Sequence, residues 1–241
     1  TVWVGDIASL DLIPDHCRDF PLSGFFFREY LGASVPDDKA IRLDHETLSL
    51  AGHAPHTTSP EVLRFLKNMT GHHGKPFSIH LAESDAETIF ITTRKGEWAD
   101  FLNQRGIDFS NWQICARSPV EHLFKSGLLD HRTIAVHLLN TDDEDLTMIH
   151  QTGTKVCVCP RSNQNLHGRL PDIPAILRHG LRPALGTDSL ASCDSLDIFD
   201  EMAFVMNHYP ELTPQTILAM GTLNGAEAFG LDHLSGTLTK N

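Results

Sequence analysis

Four side chains of the kinds that bind metals and transfer protons stand at the ends of short apolar runs. His80 and Glu83 lie three positions apart in "FSIHLAESDAE", His137 is near the end of "RTIAVHL", and Asp188 ends "RPALGTD". Imidazole and carboxylate groups suit Zn²⁺ or Fe²⁺, and a metal with an open coordination position generates hydroxide near neutral pH. A carboxylate that is not a ligand can carry protons. Each motif alone is common by chance, so the interpretation depends on their joint occurrence: metal-assisted hydrolysis with Glu83 as proton carrier.

The elements that must position these groups are strands alternating with helices. Seven runs are typical of strands: 1–7, 25–31, 47–53, 77–82, 132–138, 155–160 and 182–188. Helix starts are predicted at Ser59, Ser118 and Thr213, each followed by proline, and a further helix with an acidic first turn is predicted to end at Gly153. The alternation predicts a parallel sheet, either open or closed into a barrel.

The strand faces favour the barrel. In four runs a small or polar face ends in His53, His80, His137 or Asp188, and alternation predicts that these groups all face one side of the sheet. In "RTIAVHL" this places Ala135 on the interior face together with His137. The carboxyl ends of barrel strands form the mouth where active sites lie. Seven strands are one fewer than the usual eight.

Composition limits the class of protein. The 241 residues carry a formal charge of −12 and 41% hydrophobic residues, with neither a bilayer-spanning apolar stretch nor a secretory leader. Nucleic acid and anionic membranes are therefore not expected as partners. Five cysteines without a CxxC pair favour a reducing cytoplasm over a disulfide scaffold. One domain is the expectation for this length.

Four ordered motifs, "HLAES", "VHLLNTDDEDL", "CPRSN" and "LGTDSLAS", resemble the amidohydrolase superfamily. They are most similar to its branch of S-adenosylhomocysteine/methylthioadenosine deaminases, aminodeoxyfutalosine deaminases and related chlorohydrolases. "GHAPHTTSPEVL" resembles the "HAPYT" segment of that branch, with His56 in place of tyrosine. The resemblance implies a (β/α)8 TIM-type barrel of the metal-dependent hydrolases and a deaminase acting on a purine or similar amino-heterocycle.

The resemblance also implies roles for individual residues. His80 and Asp188 match metal ligands, and Asp188 would also orient or deprotonate the attacking water. Glu83 matches the proton shuttle. His137 matches a histidine that contacts that water and in some members binds the metal itself. The expected cofactor is one divalent ion, zinc first and iron second. Residues matching the substrate site more loosely are His53, Ser189, Arg161 and Asn163.

The chain departs from the pattern in one respect. The family's other two metal ligands form an HxH on the first strand, and no HxH occurs here. The absent motif belongs to the first barrel strand, which is also the strand missing from the usual count of eight. We therefore expect a fragment: residues 1–232 as barrel strands two to eight, and residues 233–241 as the start of a return to a small β-sandwich. Two alternatives stay open, a hydrolase acting on a C–Cl, C–S or cyclic amide bond and a degenerate, non-catalytic barrel. The oligomeric state is also open, with a homodimer as one alternative.

Three further expectations concern residues beside the motifs. Glu29 ends its strand on the inner side, where it could touch substrate or pair with Arg28 or Arg42. Cys157 and Cys159 alternate with valines and are expected in the core. In "SLDIFDEM" we expect one helix face to pack and the other to be solvated; the packed residues would be Leu196, Phe199 and Met202, and the solvated ones Asp197, Asp200 and Glu201.

Overall fold

The computed structural model describes residues 3–8, 23–41, 43 and 47–238. Within them seven parallel strands form one sheet, and each strand pairs with the next along the chain. The strands are β1 (Trp3–Ala8), β2 (Ser23–Tyr30), β3 (Leu48–Gly52), β4 (Phe77–Leu81), β5 (Thr133–His137), β6 (Lys155–Val158) and β7 (Ala184–Leu185). The predicted number of strands and their parallel order are confirmed. The order is that of a partial (β/α)8 barrel, with β1 and β7 at the two edges of the described sheet.

Helices follow the strands and cover one face of the sheet. In the described part of the chain they are α1 (Pro60–His72), α2 (Asp85–Thr93), α3 (Glu97–Gln104), α4 (Pro119–Lys125), α5 (Asp143–Thr152), α6 (Pro160–His167), α7 (Ile173–Arg178), α8 (Ile198–His208), α9 (Pro214–Gly221) and α10 (Leu223–Ala228). A short 3₁₀ helix spans Asp38–Ala40. No described helix combines the length and apolar character needed to cross a membrane. The predicted cytoplasmic location stays a prediction.

The predicted helix caps are confirmed. Ser59, Ser118 and Thr213 each accept a backbone N–H from the third residue of their helix, with proline at the first helical position. α5 ends at Gly153, whose φ of 70° suits glycine. The last predicted helix is instead two helices, α9 and α10, separated at Thr222.

The main core lies between the sheet and the helices. Leu50, Ile79 and Val158 from the strands pack with α1 and α5 side chains and are at most 1% exposed. Full burial of each such side chain stabilises the fold by about 1.5–3 kcal/mol. Gly52 permits the close approach of α1, since a Cβ atom there would lie 2.2 Å from Leu63 Cδ2.

A smaller cluster fills the inner face. It consists of Phe27, Ala51, Ile134, Val136 and Cys159, with Phe25, Cys157 and Phe229 partly buried against it. Cys159, just after β6, is buried as expected, whereas Cys157 in β6 is only partly buried against this cluster. The four described cysteines, 115, 157, 159 and 193, are free. Cys17 and Arg42 lie outside the described residues.

The predicted facing of β5 is wrong. In the parallel register, Ala135 pairs with the helix-facing Ile79, whereas Val136 pairs with His80 on the inner face. Thr133 accordingly accepts a hydrogen bond from Lys67 Nζ of α1 at 2.7 Å. Regular alternation would therefore turn His137 toward the helices, away from the mouth.

The expectation for α8 is wrong in two places. Leu196 and Phe199 were expected to pack but are 56% and 68% exposed. Glu201 was expected in solvent but is fully buried. The packed face of the helix is rotated from the one predicted, because Glu201 and Val205 face inward. The division into residues 1–232 and 233–241 stays a prediction.

Candidate active site

His80 stands at the inner face near the end of β4. Its Nδ1–H donates to the backbone carbonyl oxygen of His53 at 2.8 Å. This bond fixes the ring orientation and leaves the Nε2 lone pair for another partner, as in metal-binding histidines whose second nitrogen donates to a carbonyl. Glu29 Oε1 lies 3.7 Å from the same Nδ1. The Nε2 of His80 therefore fits a divalent metal, whereas Glu29 approaches the nitrogen that carries the proton.

Glu83 lies between two histidines. Its Oε2 is 3.6 Å from His137 Nε2, and its Oε1 is 3.4 Å from His167 Nε2 at the end of α6. The His80 and His137 rings stack with centroids 5.3 Å apart. The structure thus brings the predicted proton carrier and both predicted strand-end histidines into one cluster.

His137 reaches this cluster through its backbone conformation. Its φ is 82°, and that of Leu138 is 49°, so the chain leaves the extended conformation at the last residue of β5. The change turns the imidazole from the helix-covered side to the mouth. The Asn163 side-chain amide then donates to His137 Nδ1 at 3.2 Å, which leaves the N–H on Nε2, toward Glu83. Burial lowers the pKa of His137, although the charge of Glu83 opposes this effect.

Unusual backbone conformations concentrate at the strand ends. Five described residues other than glycine have positive φ, and four of them follow or end strands: Ala82, His137, Leu138 and Asp188. The fifth, Arg94, ends α2. A non-glycine residue in the left-handed region costs about 1–2 kcal/mol, so such residues persist where the surroundings hold them and where the altered direction serves a site.

Asp188 is held by hydroxyl groups. Its Oδ2 accepts hydrogen bonds from Ser162 Oγ at 2.6 Å and Ser192 Oγ at 2.9 Å, and its Oδ1 accepts the Ser189 N–H at 2.7 Å. Burial alone would raise the pKa of Asp188, but these bonds and the charge of His137 lower it overall. The carboxylate is thus kept ionised, as a metal ligand must be.

The start of α6 supports both groups. Ser162 binds Asp188 and Asn163 binds His137, and both side chains are fully buried. Glu201 Oε1 accepts the Arg161 N–H at 2.9 Å and so ties this helix to α8. Burial raises the pKa of Glu201 to about 7, against the opposing effect of that hydrogen bond. Sequence reasoning missed this arrangement because a single charged residue on a helix gives no sign of the helix's orientation.

The predicted substrate contacts occupy different surroundings. His53 Nδ1 lies 2.6 Å from Thr57 Oγ1, and burial, followed by the charge of His80, lowers the pKa of His53 to about 3. The Arg161 guanidinium instead pairs with Asp194 and lies 3.3 Å from the Ser195 carbonyl oxygen. The roles of Arg161, Asn163, Ser189 and His53 in substrate binding stay predictions.

Glu29, His53 and His80 also form a group in which one ligand atom from each lies within 4.8 Å of the others. Sequence reasoning left the role of Glu29 open between a substrate contact and an ion pair with an arginine. In the structure the Glu29 carboxylate lies beside His80. His167 was missed entirely. Its only signal in the sequence is its position seven residues after Pro160. That spacing is informative only if a regular helix of two turns joins the two residues.

Residues 38–241 match the model of the Amidohydrolase family. This match covers most of the chain, so the chain belongs to the amidohydrolase family. The predicted resemblance is confirmed at this level, and with it the assignment of the seven strands to a partial (β/α)8 amidohydrolase barrel.

Three similar proteins are informative. A 5-methylthioadenosine/S-adenosylhomocysteine deaminase of Syntrophobacter fumaroxidans is 31% identical over 224 residues, which are 90% of this chain and 45% of that protein. The Helicobacter pylori aminofutalosine deaminase, in complex with methylthio-coformycin, is 25% identical with a TM-score of 0.82, covering 99% of this chain and 62% of that one. An adenosine deaminase of Xanthomonas campestris with bound zinc is 25% identical with a TM-score of 0.63, covering 81% and 42%. The chain therefore spans about half the length of the relatives it matches.

Proposed function

We propose that this protein is a metal-dependent aminohydrolase that releases ammonia from a purine nucleoside or similar amino-heterocycle. The observation that carries the proposal is the cluster of His80, Glu83 and His137 at the strand ends, with Asp188 tied to it through α6. The relatives named as methylthioadenosine/S-adenosylhomocysteine and aminofutalosine deaminases support the substrate class.

His80 and Asp188 would hold the metal. His80 offers Nε2 because its Nδ1 is bound to the His53 carbonyl, and Asp188 offers a carboxylate kept ionised by Ser162 and Ser192. When bound, a divalent metal lowers the pKa of a coordinated water to about 7 and so supplies hydroxide at neutral pH. Zinc is the first choice because the Xanthomonas structure carries it, and iron is the alternative. These two ligands alone leave coordination positions open.

Glu83 would carry the protons of the reaction. It would take a proton from the attacking water and deliver it to the ring nitrogen of the heterocycle. It would then take the remaining hydroxyl proton of the tetrahedral adduct and deliver it to the departing amine, so that ammonia leaves and a carbonyl forms. His137 offers an Nε2–H toward the same carboxylate, since Asn163 occupies its Nδ1. In this arrangement His137 acts as a hydrogen-bond donor beside the attacking water, which is one of the two roles that the resemblance implies.

The substrate would lie over the mouth between β3 and β7. A neutral His53, kept so by burial and by the neighbouring His80, can donate or accept a hydrogen bond. Ser189 borders the opposite side next to Asp188. We keep Asn163 and Arg161 as outer contacts, with Arg161 dependent on release from its pair with Asp194.

The test uses the longest natural chain that contains these residues, loaded with zinc. Ammonia release is measured with methylthioadenosine, S-adenosylhomocysteine, adenosine and aminopyrimidines, and products are identified by mass spectrometry. The same product analysis separates deamination from hydrolysis of a C–Cl, C–S or cyclic amide bond. Absence of turnover together with unchanged zinc content in His80→Ala and Asp188→Ala would refute the proposal and favour a non-catalytic barrel.

A further inference from the structure

We propose that Glu87 is a positioning residue that fixes the turn carrying Glu83, an inference that rests on the proposed role of Glu83 as proton carrier. Both carboxylate oxygens of Glu87 are engaged with this turn. Oε1 accepts the Ala82 N–H at 3.1 Å, and Oε2 accepts the Glu83 N–H at 2.8 Å. The Glu87 side chain is fully buried.

The turn needs such a partner for two reasons. Ala82 has a φ of 54°, a conformation that a residue with a Cβ rarely adopts. Ala82 is also fully buried, so water cannot satisfy its N–H if the Glu87 carboxylate is removed. Glu87 therefore supplies both acceptors at the point where the chain bends from β4 into α2. The bend directs Glu83 toward His137 and His167.

The sequence alone assigns Glu87 a simpler role. Ser84 and Glu87 have the spacing of a capping box, and Ser84 Oγ indeed accepts the Glu87 N–H at 3.1 Å. In a capping box the acidic side chain returns to the N–H of the cap residue. Glu87 instead reaches the two residues before the cap. The cap accounts for Ser84 but not for the direction of the Glu87 carboxylate.

The surroundings of Glu87 exclude solvent. His56 Nδ1 lies 3.8 Å from Glu87 Oε1, and the His56 ring packs against Trp98 with centroids 4.3 Å apart. Neither ring nitrogen of His56 has a hydrogen-bond partner among the described residues. Burying a carboxylate costs free energy unless it is hydrogen-bonded, and the Ala82 and Glu83 N–H groups donate those hydrogen bonds to Glu87. The carboxylate and the strained turn thus stabilise each other.

α4 offers a matched control. Ser118 Oγ accepts the Glu121 N–H at 3.0 Å, and Glu121 Oε2 accepts the N–H of Arg117, the residue before the cap, at 2.8 Å. Glu121 thus has the same position in its helix and the same type of bond, but its turn carries no residue of the site. A general loss of helix capping affects both positions, whereas a loss of Glu83 placement affects only Glu87.

The experiment compares Glu87→Gln with Glu121→Gln in the zinc-loaded protein. Glutamine keeps the size but offers only one acceptor oxygen. We expect kcat for ammonia release to fall about 10- to 100-fold in Glu87→Gln, as small misplacement of a catalytic group costs. KM and zinc content stay within about threefold, since Glu87 contacts neither substrate nor metal, and Glu121→Gln retains kcat within about twofold. In a Glu83→Gln background, Glu87→Gln has no further effect on kcat, because it acts only through Glu83.

A readout independent of turnover completes the test. In a crystal structure of Glu87→Gln we expect Ala82 to leave the left-handed region or Glu83 Oε2 to move away from His137 Nε2. An unchanged turn with unchanged kcat would overturn the proposal, even if stability falls. If the natural enzyme releases no ammonia, the proposed function fails while the turn geometry still decides the role of Glu87. If Glu87→Gln does not fold, Glu87→Asp is used, because it keeps the charge but its side chain is one methylene shorter and cannot hold both N–H groups in the same geometry; a native turn in it overturns the proposal.

Discussion

Two regions of the molecule differ in the residues that end their helices and strands. One is the mouth at the carboxyl ends of the strands, and the other is the layer of helices on the outer face of the sheet. In the helix layer, α5 ends at Gly153 and Gly180 follows α7, and both glycines adopt positive φ without steric cost. At the mouth, His137 and Asp188 adopt positive φ although each has a Cβ. Apart from Arg94 at the end of α2, the helix layer uses glycine for this conformation. The mouth uses residues with a Cβ, and two of them, His137 and Asp188, are in the proposed catalytic set.

Both regions contain buried polar groups. In the helix layer, Lys67 Nζ donates to Asp130 Oδ1 at 2.6 Å and to Thr133 Oγ1 at 2.7 Å, so this ammonium is paired with neighbouring side chains. At the mouth, Asn163 Oδ1 and Glu201 Oε2 are buried without a hydrogen-bond partner among the described residues. His122 Nε2 in α4 is also unpaired, so it is the positive φ values of His137 and Asp188 that indicate a geometry serving a ligand rather than stability.

Glu83→Gln is expected to distinguish the two regions most clearly, with a large effect on kcat and little effect on stability. The amide cannot carry a proton, so kcat for ammonia release should fall by about 10²- to 10⁴-fold. The free energy of unfolding should change little, because the side chain is partly exposed and its shape is kept. The matched control is Glu144→Gln in α5, whose carboxylate is 75% exposed beside Arg117. Equal kcat in Glu83→Gln and the natural protein would remove Glu83 from the proton path.

The second effect concerns the support of Asp188. Removing the buried Ser162 hydroxyl with Ser162→Ala should weaken zinc binding about 10- to 100-fold, the usual cost of losing a group that orients a metal ligand. Competition with a chelator measures this without any assay of turnover. Ser110→Ala, at an exposed position, is the control. Zinc affinity unchanged in Ser162→Ala would place the metal elsewhere than Asp188.

The same contrast between the two regions explains which features of the fold and the site can be predicted from the sequence. Strand number, strand order and the caps at Ser59, Ser118 and Thr213 depend on local composition and periodicity, and these predictions are confirmed. The facing of β5 failed because alternation assumes an extended backbone, and His137 leaves it. Which residue takes a strained φ depends on contacts from distant segments, here Asn163 for His137.

Residues that support the site without taking part in the chemistry were equally difficult to predict from the sequence. Ser162 is 26 positions from Asp188, so its role appears only when α6 and the segment after β7 come together. Ser192 and Glu87 each lie only four positions from the residue they support, but that spacing is equally common in ordinary turns and helix starts. Glu201 was assigned to the solvated side for the same reason. Periodicity predicts that a helix has an inner face, but neighbouring elements decide which residues occupy it.

The helix layer should show the opposite response to mutation. Lys67→Met removes a buried ammonium and its bonds to Asp130 and Thr133. We expect the free energy of unfolding to fall by about 1–2 kcal/mol, less than for a fully buried pair because the Asp130 side chain is 39% exposed. Denaturant titration measures the loss. kcat and zinc content should equal those of the natural protein, and a drop in kcat would contradict the separation of the two regions.

An effect of similar size but limited to acid pH is a pH dependence of stability that arises in the helix layer. Burial lowers the pKa of His122 in α4 to about 4, with Arg64 and Arg94 adding to the shift. Between pH 6.5 and 4 the unfolded state therefore binds a proton at this histidine that the folded state does not, so stability falls as pH decreases through this range. Between pH 7 and pH 5 the loss from His122 should be about 1–2 kcal/mol. His122→Leu should flatten this part of the curve, whereas His150→Leu, at an exposed position, should leave it unchanged. A curve with the same slope in His122→Leu would mean that the acid sensitivity originates elsewhere, with His53 at the mouth the first candidate because burial and the charge of His80 also lower its pKa.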